Sequence, residues 1–312
     1  MAEQMQGIKR RIRSINSTER ITNAMKLVSA AKLRRAKAVY EHSKLFLDRI
    51  KASMDETFDN AASVPKQFLV GSREIKTTCL VIMTSSTGLC GSFNGNVIRY
   101  TEKLIKEAHH DAKLVTIGSK GREHFQRMNY DILIEHDGTA DTVTFEETQD
   151  IAGPLIEKYL AGEIDEIILV YTSYINTLKQ EVTTRRILPI DMNEIKADEK
   201  AEDALIDKAE GKGFEEGEDK DAGPQPLHSI EYEPSAEEVF RYLVPKYFQL
   251  HLYSAAIESA TCEHAARRQA MENANDNASD MLTMLQVKYN RARQSQITDA
   301  IIEIVSGSEA QS

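Results

Sequence analysis

The sequence has 312 residues, a net charge of −10, 28% charged and 41% hydrophobic residues, and no Trp. A chain of this length can bury the core of one large domain or of two smaller ones. No stretch approaches the ~18 apolar residues of a membrane-spanning helix, so none is expected. Cys79, Cys90 and Cys262 lie far apart without a CxxC pair, which argues against a zinc cluster and favours a reducing, cytoplasmic setting.

The charge is unevenly distributed along the chain. Residues 1–51 contain 13 Lys and Arg against 4 Asp and Glu, whereas the remaining residues contain 26 basic and 45 acidic side chains. A basic arm on an acidic body usually contacts something negative. Nucleic acid, a membrane surface, an acidic protein and an acidic part of the same chain are all candidates.

Residues 1–60 predict one long helix, because no Pro precedes Pro65 and Gly7 is the only Gly before it. The apolar residues step by three and four in two sets, separated by a change of phase: Ile8, Ile12 and Ile15, then Ile21, Met25 and Val28. Such a narrow apolar stripe between charged faces is typical of a coiled-coil seam. The helix therefore needs a partner helix.

Residues 75–190 predict an inserted, Rossmann-like α/β domain. The apolar, β-branched runs predicted as strands are Thr77–Met83, Lys113–Ile117, Tyr130–Ile134, Asp165–Tyr171 and Glu181–Leu188. Helical patterns separate most of them, at Ser92–Ala108, Gly121–Met128 and Phe145–Leu160. This alternation implies a mainly parallel sheet covered by helices. The polar residues 183–186 make the last strand an edge or an antiparallel return.

Residues 191–225 form an acidic insertion. Between Asp191 and Gly223 there are 13 acidic and 5 basic residues and four glycines. Few of these residues can be buried, so a largely flexible, solvated segment is expected.

Residues 234–307 predict a second long helix. Ser235 and Glu238 form a capping-box pattern at its start, and Pro245 should kink the helix or start it afresh. The apolar seam continues through Leu282, Leu285, Tyr289 and Ala292, and then through Ile297, Ile301 and Ile304. The economical arrangement is an antiparallel coiled coil of the two terminal helices, with the α/β domain inserted between them.

The loop at residues 88–91 is the nearest approach to a phosphate-binding motif. It follows the first strand and precedes a helix, where an anion can bind, but GxxG matches neither GxGxxG nor GxxxxGK[ST]. A tight turn is therefore the favoured interpretation. Cys90 within it could be a nucleophile, but no base has a suitable spacing, so a small buried thiol is favoured.

Two other functional classes remain open at this point. A nucleotide-binding α/β enzyme with coiled-coil arms would use the glycine loop. A basic coiled-coil nucleic-acid binder would use the N-terminal arm, although no aromatic side chains are interleaved there for base stacking.

Motifs at both ends of the chain carry a resemblance to a known family. They are residues 8–18, 21–34, 263–267, 273–278, 289–298 and 303–307, together with Gly-Leu-Cys-Gly at 88–91 and Asn94. In these segments the chain resembles the γ subunit of the F-type (F1Fo) ATP synthase of bacteria. The resemblance covers the whole chain in order.

The resemblance implies a rotor shaft. In this family the coiled coil stands inside a ring of three α and three β subunits, and its free end turns in an apolar sleeve. The α/β domain sits with the ε subunit on the c-ring, at the cytoplasmic face of the plasma membrane. Proton or sodium flow turns the shaft and changes the β catalytic sites, so the subunit itself needs no catalytic residue, cofactor, metal or nucleic acid.

The resemblance also implies roles for individual residues. Arg293, Gln294 and Thr298 match positions that contact a β-subunit catch loop. Met25 and Lys26 match the region where the N-terminal helix meets a β lever, and Arg267 lies on the opposing helix there. Gly88, Leu89, Cys90 and Gly91 match the family's loop near the rotor ring and ε.

Overall fold

A computed structural model describes residues 2–60, 65–71, 73–108, 110–138, 142–177, 179–191, 232–233 and 235–309. Apart from residue 191, the predicted acidic insertion at 191–225 lies outside the described residues. The chain divides into two units. The helical unit contains residues 1–34, 89–91 and 263–312, and the sheet unit contains residues 35–88 and 92–262.

Two long helices and an α/β region make up the described structure. The helices are α1 (Ala2–Asn60), α2 (Phe93–Glu107), α3 (Ser119–Arg127), α4 (Phe145–Ala161) and α5 (Ala236–Glu309), with a 3-10 turn at Lys66–Phe68. The strands are β1 (Thr77–Met83), β2 (Asp111–Ile117), β3 (Ile132–His136), β4 (Glu166–Tyr174) and β5 (Gln180–Leu188). The predicted strands and helices of the α/β region are each present, with ends shifted by a few residues.

The five strands form one mixed sheet in the order β3-β2-β1-β4-β5. The first four are parallel and β5 pairs antiparallel with β4, which confirms both the mainly parallel sheet and the antiparallel last strand. β1 is central: Val81 pairs with Val115 of β2 and Leu169 of β4. A strand covered on both faces is apolar throughout, as the run from Cys79 to Met83 is.

Each face of the sheet has its own apolar core, because successive side chains of a strand point to opposite faces. On one face Leu80 and Ile82 pack with Val97 of α2 and Phe125 of α3. On the other face the core includes Val81, Met83, residues of α4, Met54 of α1 and four aromatic or aliphatic residues of α5: Phe240, Val244, Phe248 and Leu252. The sheet-unit parts of α1 and α5 are thus held by the core of the sheet.

The two long helices run antiparallel. In the sheet unit Tyr40 of α1 is hydrogen-bonded to Glu258 of α5, and Lys51 of α1 acts electrostatically on His251 of α5. Residue numbers therefore rise along one helix as they fall along the other.

The seam of α1 differs from the prediction. Its less exposed residues in the helical unit include a series that alternates by four and three without a change of phase: Ile8, Ile12, Ile15, Glu19, Thr22, Lys26, Ser29 and Leu33. Met25, which was predicted for the seam, is also half-buried beside this series. Ile21 and Val28 are both 57% exposed, so their assignment to the seam is wrong. A strict 3.5-residue repeat keeps one face toward the partner helix whatever residues occupy it. Thr22 tolerates this position because its hydroxyl donates to the Glu19 carbonyl (3.0 Å).

The seam of α5 is confirmed at Leu282, Leu285, Tyr289 and Ala292 but not beyond Gln296. Ile297, Ile301 and Ile304 are exposed, and Ile304 is 72% exposed. Ile12 and Asn16 of α1 share a groove with residues 282–290 of α5.

The start of α5 is only partly as predicted. The Ser235 hydroxyl accepts a hydrogen bond from the Glu238 amide (3.2 Å), as an N-cap does. The helix does not start afresh at Pro245 but continues through it. Phe240, Val244 and Phe248 are buried on both sides of this proline, so packing maintains the helix where one backbone hydrogen bond is lost.

Candidate functional site

The exposed end of α5 places three of the predicted contact residues together in the helical unit. Arg293, Gln294 and Thr298 are all exposed, and the Thr298 hydroxyl donates to the Gln294 carbonyl (3.0 Å). One helical turn separates Gln294 from Thr298, so their side chains lie on the same face. An exposed guanidinium beside an amide and a hydroxyl can bind a carboxylate or backbone carbonyls of another protein.

The same end of α5 also presents an apolar surface. Beside the predicted contact residues, the exposed apolar side chains are Ile297, Ile301, Ile302, Ile304 and Val305. At about 3.6 residues per turn these side chains fall on one broad side of the helix, and their exposure to water is costly. The sequence pattern assigned Ile297, Ile301 and Ile304 to the seam of this chain rather than to an exterior surface, and it made no such assignment for Ile302 and Val305.

The other three predicted contact residues differ in accessibility. Met25 and Lys26 of α1 are half-buried, and Lys26 lies on the seam. Arg267 of α5 is only 8% exposed and donates to the Glu263 carboxylate (2.7 Å), which is itself buried. Arg267 is therefore positioned to stabilise the helical unit and offers little surface to another protein.

Three exposed apolar side chains of α1 were not predicted as surface residues. Ile21, Leu27 and Val28 are each more than half exposed and lie off the seam of the helical unit. The signal that could identify them is the heptad phase: they do not fit the strict alternation that connects Ile8 to Leu33.

The predicted glycine loop at residues 88–91 is divided between the two units: residues 89–91 belong to the helical unit and Gly88 to the sheet unit. In the helical unit, Leu89 has a φ of 64° and is exposed, whereas Cys90 is 2% exposed, so the prediction of a small buried thiol is confirmed. Gly91 has a φ of 60°, and a Cβ built on it would lie 3.8 Å from Cβ of Ala270 on α5. The loop thus approaches α5 closely in a conformation that glycine adopts without strain.

In the sheet unit, the residues around this loop shape a tight turn. The Asn94 side chain accepts from the Ser85 amide (2.9 Å), and the Ser85 hydroxyl lies 2.6 Å from the Thr87 carbonyl, to which it donates. The turn follows β1, next to β4, where ligands bind in many open α/β sheets. The polar groups of Ser85 and Asn94 are engaged in the turn itself, in keeping with the interpretation as a structural loop.

The described residues contain neither a metal-binding cluster nor a membrane-spanning helix. Among them, no group of three or more His, Cys, Asp and Glu side chains is placed to hold a metal ion. No helix in the described part of the chain combines the length and apolar character needed to cross a membrane.

Known proteins resemble this chain over nearly its full length. The sequence model of the family described as ATP synthase matches residues 4–311. The ATP synthase gamma chain of Alkaliphilus metalliredigens is 37% identical over 306 residues, covering 98% of both chains. The sodium ion specific ATP synthase gamma chain of Acetobacterium woodii is 36% identical over 310 residues, covering 99% of both.

The chain belongs to the ATP synthase gamma chain family. Solved structures agree in fold: a chain of the Euglena gracilis mitochondrial ATP synthase has a TM-score of 0.64 at 17% identity, and the match covers 100% of this chain and 95% of that one. A chain from the central stalk and c-ring of the Tetrahymena thermophila mitochondrial ATP synthase has a TM-score of 0.56 at 23% identity, covering 81% and 99%. Gamma chain membership accounts for both terminal helices and the inserted α/β region.

Proposed function

We propose that this chain is the central rotor shaft of an F1Fo ATP synthase. It couples ion-driven rotation of the c-ring to conformational change at the β catalytic sites for ATP synthesis, or works in reverse for ATP-driven ion pumping. Membership of the gamma chain family and the antiparallel pair of long helices support this role. The observation that carries it is the uncovered end of α5, where apolar side chains adjoin Arg293, Gln294 and Thr298.

The proposal assigns partners to the exposed surfaces. The α3β3 hexamer surrounds the helical unit, its apolar sleeve receives Ile297, Ile301 and Ile304, and a β subunit contacts Arg293, Gln294 and Thr298. The partly exposed side chains of Met25 and Lys26 contact a β lever, and Arg267 of α5 supports the helical unit. The ε subunit and the c-ring contact the α/β region near residues 88–91.

The proposal places ATP chemistry in the β subunits and none in this chain. The subunit is peripheral, attached through Fo to the cytoplasmic face of a bacterial plasma membrane, and binds no nucleic acid. The driving ion is a proton or sodium; a relative named sodium ion specific shares 36% identity with this chain. Neither alternative from the sequence, a nucleotide-binding enzyme or a nucleic-acid binder, explains the family match over residues 4–311.

The contact residues are tested in the reconstituted complex. Replacing both Arg293 and Gln294 by Ala should lower ATP turnover and the yield of assembled complex, because charge-assisted contacts to β are lost. We expect turnover to fall about tenfold, which corresponds to a change of ~1.4 kcal/mol in the activation free energy.

A matched control is available on α3, where Gln126 and Arg127 are also adjacent and exposed. The double variant Gln126→Ala/Arg127→Ala should keep both assembly and turnover. Unchanged turnover and assembly in the Arg293→Ala/Gln294→Ala complex would refute the assignment of these contacts.

A further inference from the structure

The buried side of α1 carries a row of large side chains that recurs every seven residues. Three of them lie in the sheet unit, Tyr40, Leu47 and Met54, and Leu33 of the helical unit continues the row. Leu47 and Met54 are 5% and 0% exposed, and Tyr40 is half-buried. Tyr40 is also the one member of this row with a hydroxyl group, so it alone can donate a hydrogen bond from its side chain.

A second seven-residue row lies on α5 and is buried: Val244, His251 and Glu258. Three pairs relate the two rows, which are Tyr40 with Glu258, Leu47 with His251, and Met54 with Val244. The first pair is hydrogen-bonded, the second lines one polar cavity, and the third belongs to one apolar core. Since residue numbers rise along α1 as they fall along α5, the two rows lie against each other over these three heptad positions.

A heptad repeat on both helices leaves the axial register between them open. Moving α1 along α5 by one heptad, about 10 Å, brings another member of its row to the place of Tyr40. In either direction that member is a leucine, Leu33 or Leu47, so apolar packing of this row discriminates weakly between the registers. Coiled coils solve this problem with a polar residue at one seam position, whose partner is absent in every shifted register.

Glu258 is the partner that makes a shifted register unfavourable. Its carboxylate accepts from the Ser173 hydroxyl (2.7 Å) and the Tyr174 amide (2.8 Å) of β4, and Tyr40 supplies a further hydrogen bond from α1. Burial raises the pKa of Glu258, and these hydrogen bonds oppose the shift. In a register moved by one heptad, a leucine would face this buried carboxylate, which would then lose one of its donors.

We propose that Tyr40 and Glu258 are positioning residues that fix the axial register of α1 on α5, with Glu258 anchored to β4. We call this pair the register lock. Its hydrogen bond forms in one register and is lost when α1 moves by a heptad in either direction. A contact that only stabilises the fold would change the free energy of unfolding when removed, whereas removal of the register lock also allows a second register.

The test measures the register with spin labels on the full-length chain without other subunits, so its outcome does not depend on the proposed rotor function. Glu41→Cys on α1 and Tyr242→Cys on α5 place the labels at exposed positions of the sheet unit, and the native cysteines are buried. Double electron–electron resonance should give one main distance between the labels. Tyr40→Leu should add a second population, in which α1 is displaced by one heptad, about 10 Å.

An exchange of two residues predicts the direction of the shift. Tyr40→Leu/Leu47→Tyr moves the tyrosine by one heptad along α1 and leaves the composition unchanged. The hydrogen bond to Glu258 can then form only after α1 has moved so that position 47 lies beside Glu258. This movement carries the label at position 41 away from the label at position 242, so a longer distance should appear. If Tyr40→Leu does not fold by circular dichroism, Tyr40→Phe replaces it with the same expectation.

Tyr159→Phe is the matched control. The Tyr159 hydroxyl is also engaged inside the sheet unit, where it donates to the Gln67 carbonyl (2.9 Å), but this bond joins α4 to the 3-10 turn. Its loss should lower the free energy of unfolding in urea and leave the label distance unchanged. Only the native distance in both Tyr40→Leu and the exchange variant, or the same second population in Tyr159→Phe, would overturn the proposal.

Discussion

Arg267 shows how a residue of a specific family motif can have a structural role. Its guanidinium lies 2.7 Å from the Glu263 carboxylate, with 8% of the arginine and 2% of the glutamate exposed. Charges that are this deeply buried depend on each other, because an unpaired buried charge is strongly unfavourable. Arg267 is therefore engaged within this chain, and the accessible residues of the same motif region are the ones available to a partner protein.

Replacing Arg267 by Ala should lower the free energy of unfolding by about 3–5 kcal/mol, because Glu263 would remain buried without its counter-charge. Urea unfolding of the full-length chain, followed by circular dichroism, measures the change. The control is Arg268→Ala, the next residue and a more exposed one, which should cost about 0.5 kcal/mol or less. Equal losses in the two variants would contradict the structural role of Arg267.

At the level of elements, the seam of α1 is set by heptad phase rather than by the positions of its most apolar residues. Leu33 is 9% exposed and fits the alternation that starts at Ile8, whereas Leu27 is 63% exposed and does not. Both leucines belong to the helical unit and to the same helix. They therefore offer a direct comparison between a seam position and an outward position.

Leu33→Ala should destabilise the chain by about 2–3 kcal/mol, since it removes buried methyl groups and leaves a cavity. Leu27→Ala should change the free energy of unfolding of the chain by about 0.5 kcal/mol or less, because its side chain already contacts water. Urea unfolding of both variants tests this difference. A larger loss of stability for Leu27→Ala than for Leu33→Ala would contradict this seam and support the predicted one through Ile21 and Val28.

The fold was largely predictable from the sequence because local signals agree with it. The apolar run Thr77–Met83 and the alternating helices dictate a buried parallel sheet, and the polar residues 183–186 mark the edge strand. The seam was misplaced because Thr22 and Ser29 are buried there while Ile21 and Val28 are exposed, which inverts the usual relation between polarity and burial.

The candidate sites were predictable only where one segment contains them. Arg293, Gln294 and Thr298 lie within six consecutive helical positions, so the family resemblance identified them together, and the structure places all three on the surface. A polar cavity beside His251 combines side chains from α1, β4, β5 and α5, from Tyr40 to Glu258 in sequence. No single segment carries a signal for such a cavity, since tertiary packing creates it.

At the scale of the whole molecule, the sheet unit and the helical unit have different proposed roles. α1 and α5 both continue from the sheet unit into the helical unit, so torque applied to one unit can pass along both helices. The sheet unit holds both helices in its apolar core through Met54, Phe240 and Phe248. The helical unit presents the exposed side chains for which we propose contacts to the β subunits.

Direct observation of rotation tests the central claim. Cys79, Cys90 and Cys262 are all buried, at 0%, 2% and 0% exposure, so a cysteine introduced at the exposed Glu157 of α4 can be labelled selectively. A bead attached through Glu157→Cys, in α3β3 complexes fixed to a surface, should rotate in one direction when ATP is added and stop when ATP is removed. ATP hydrolysis by such complexes while the labelled chain stays fixed would contradict its role as the rotor shaft.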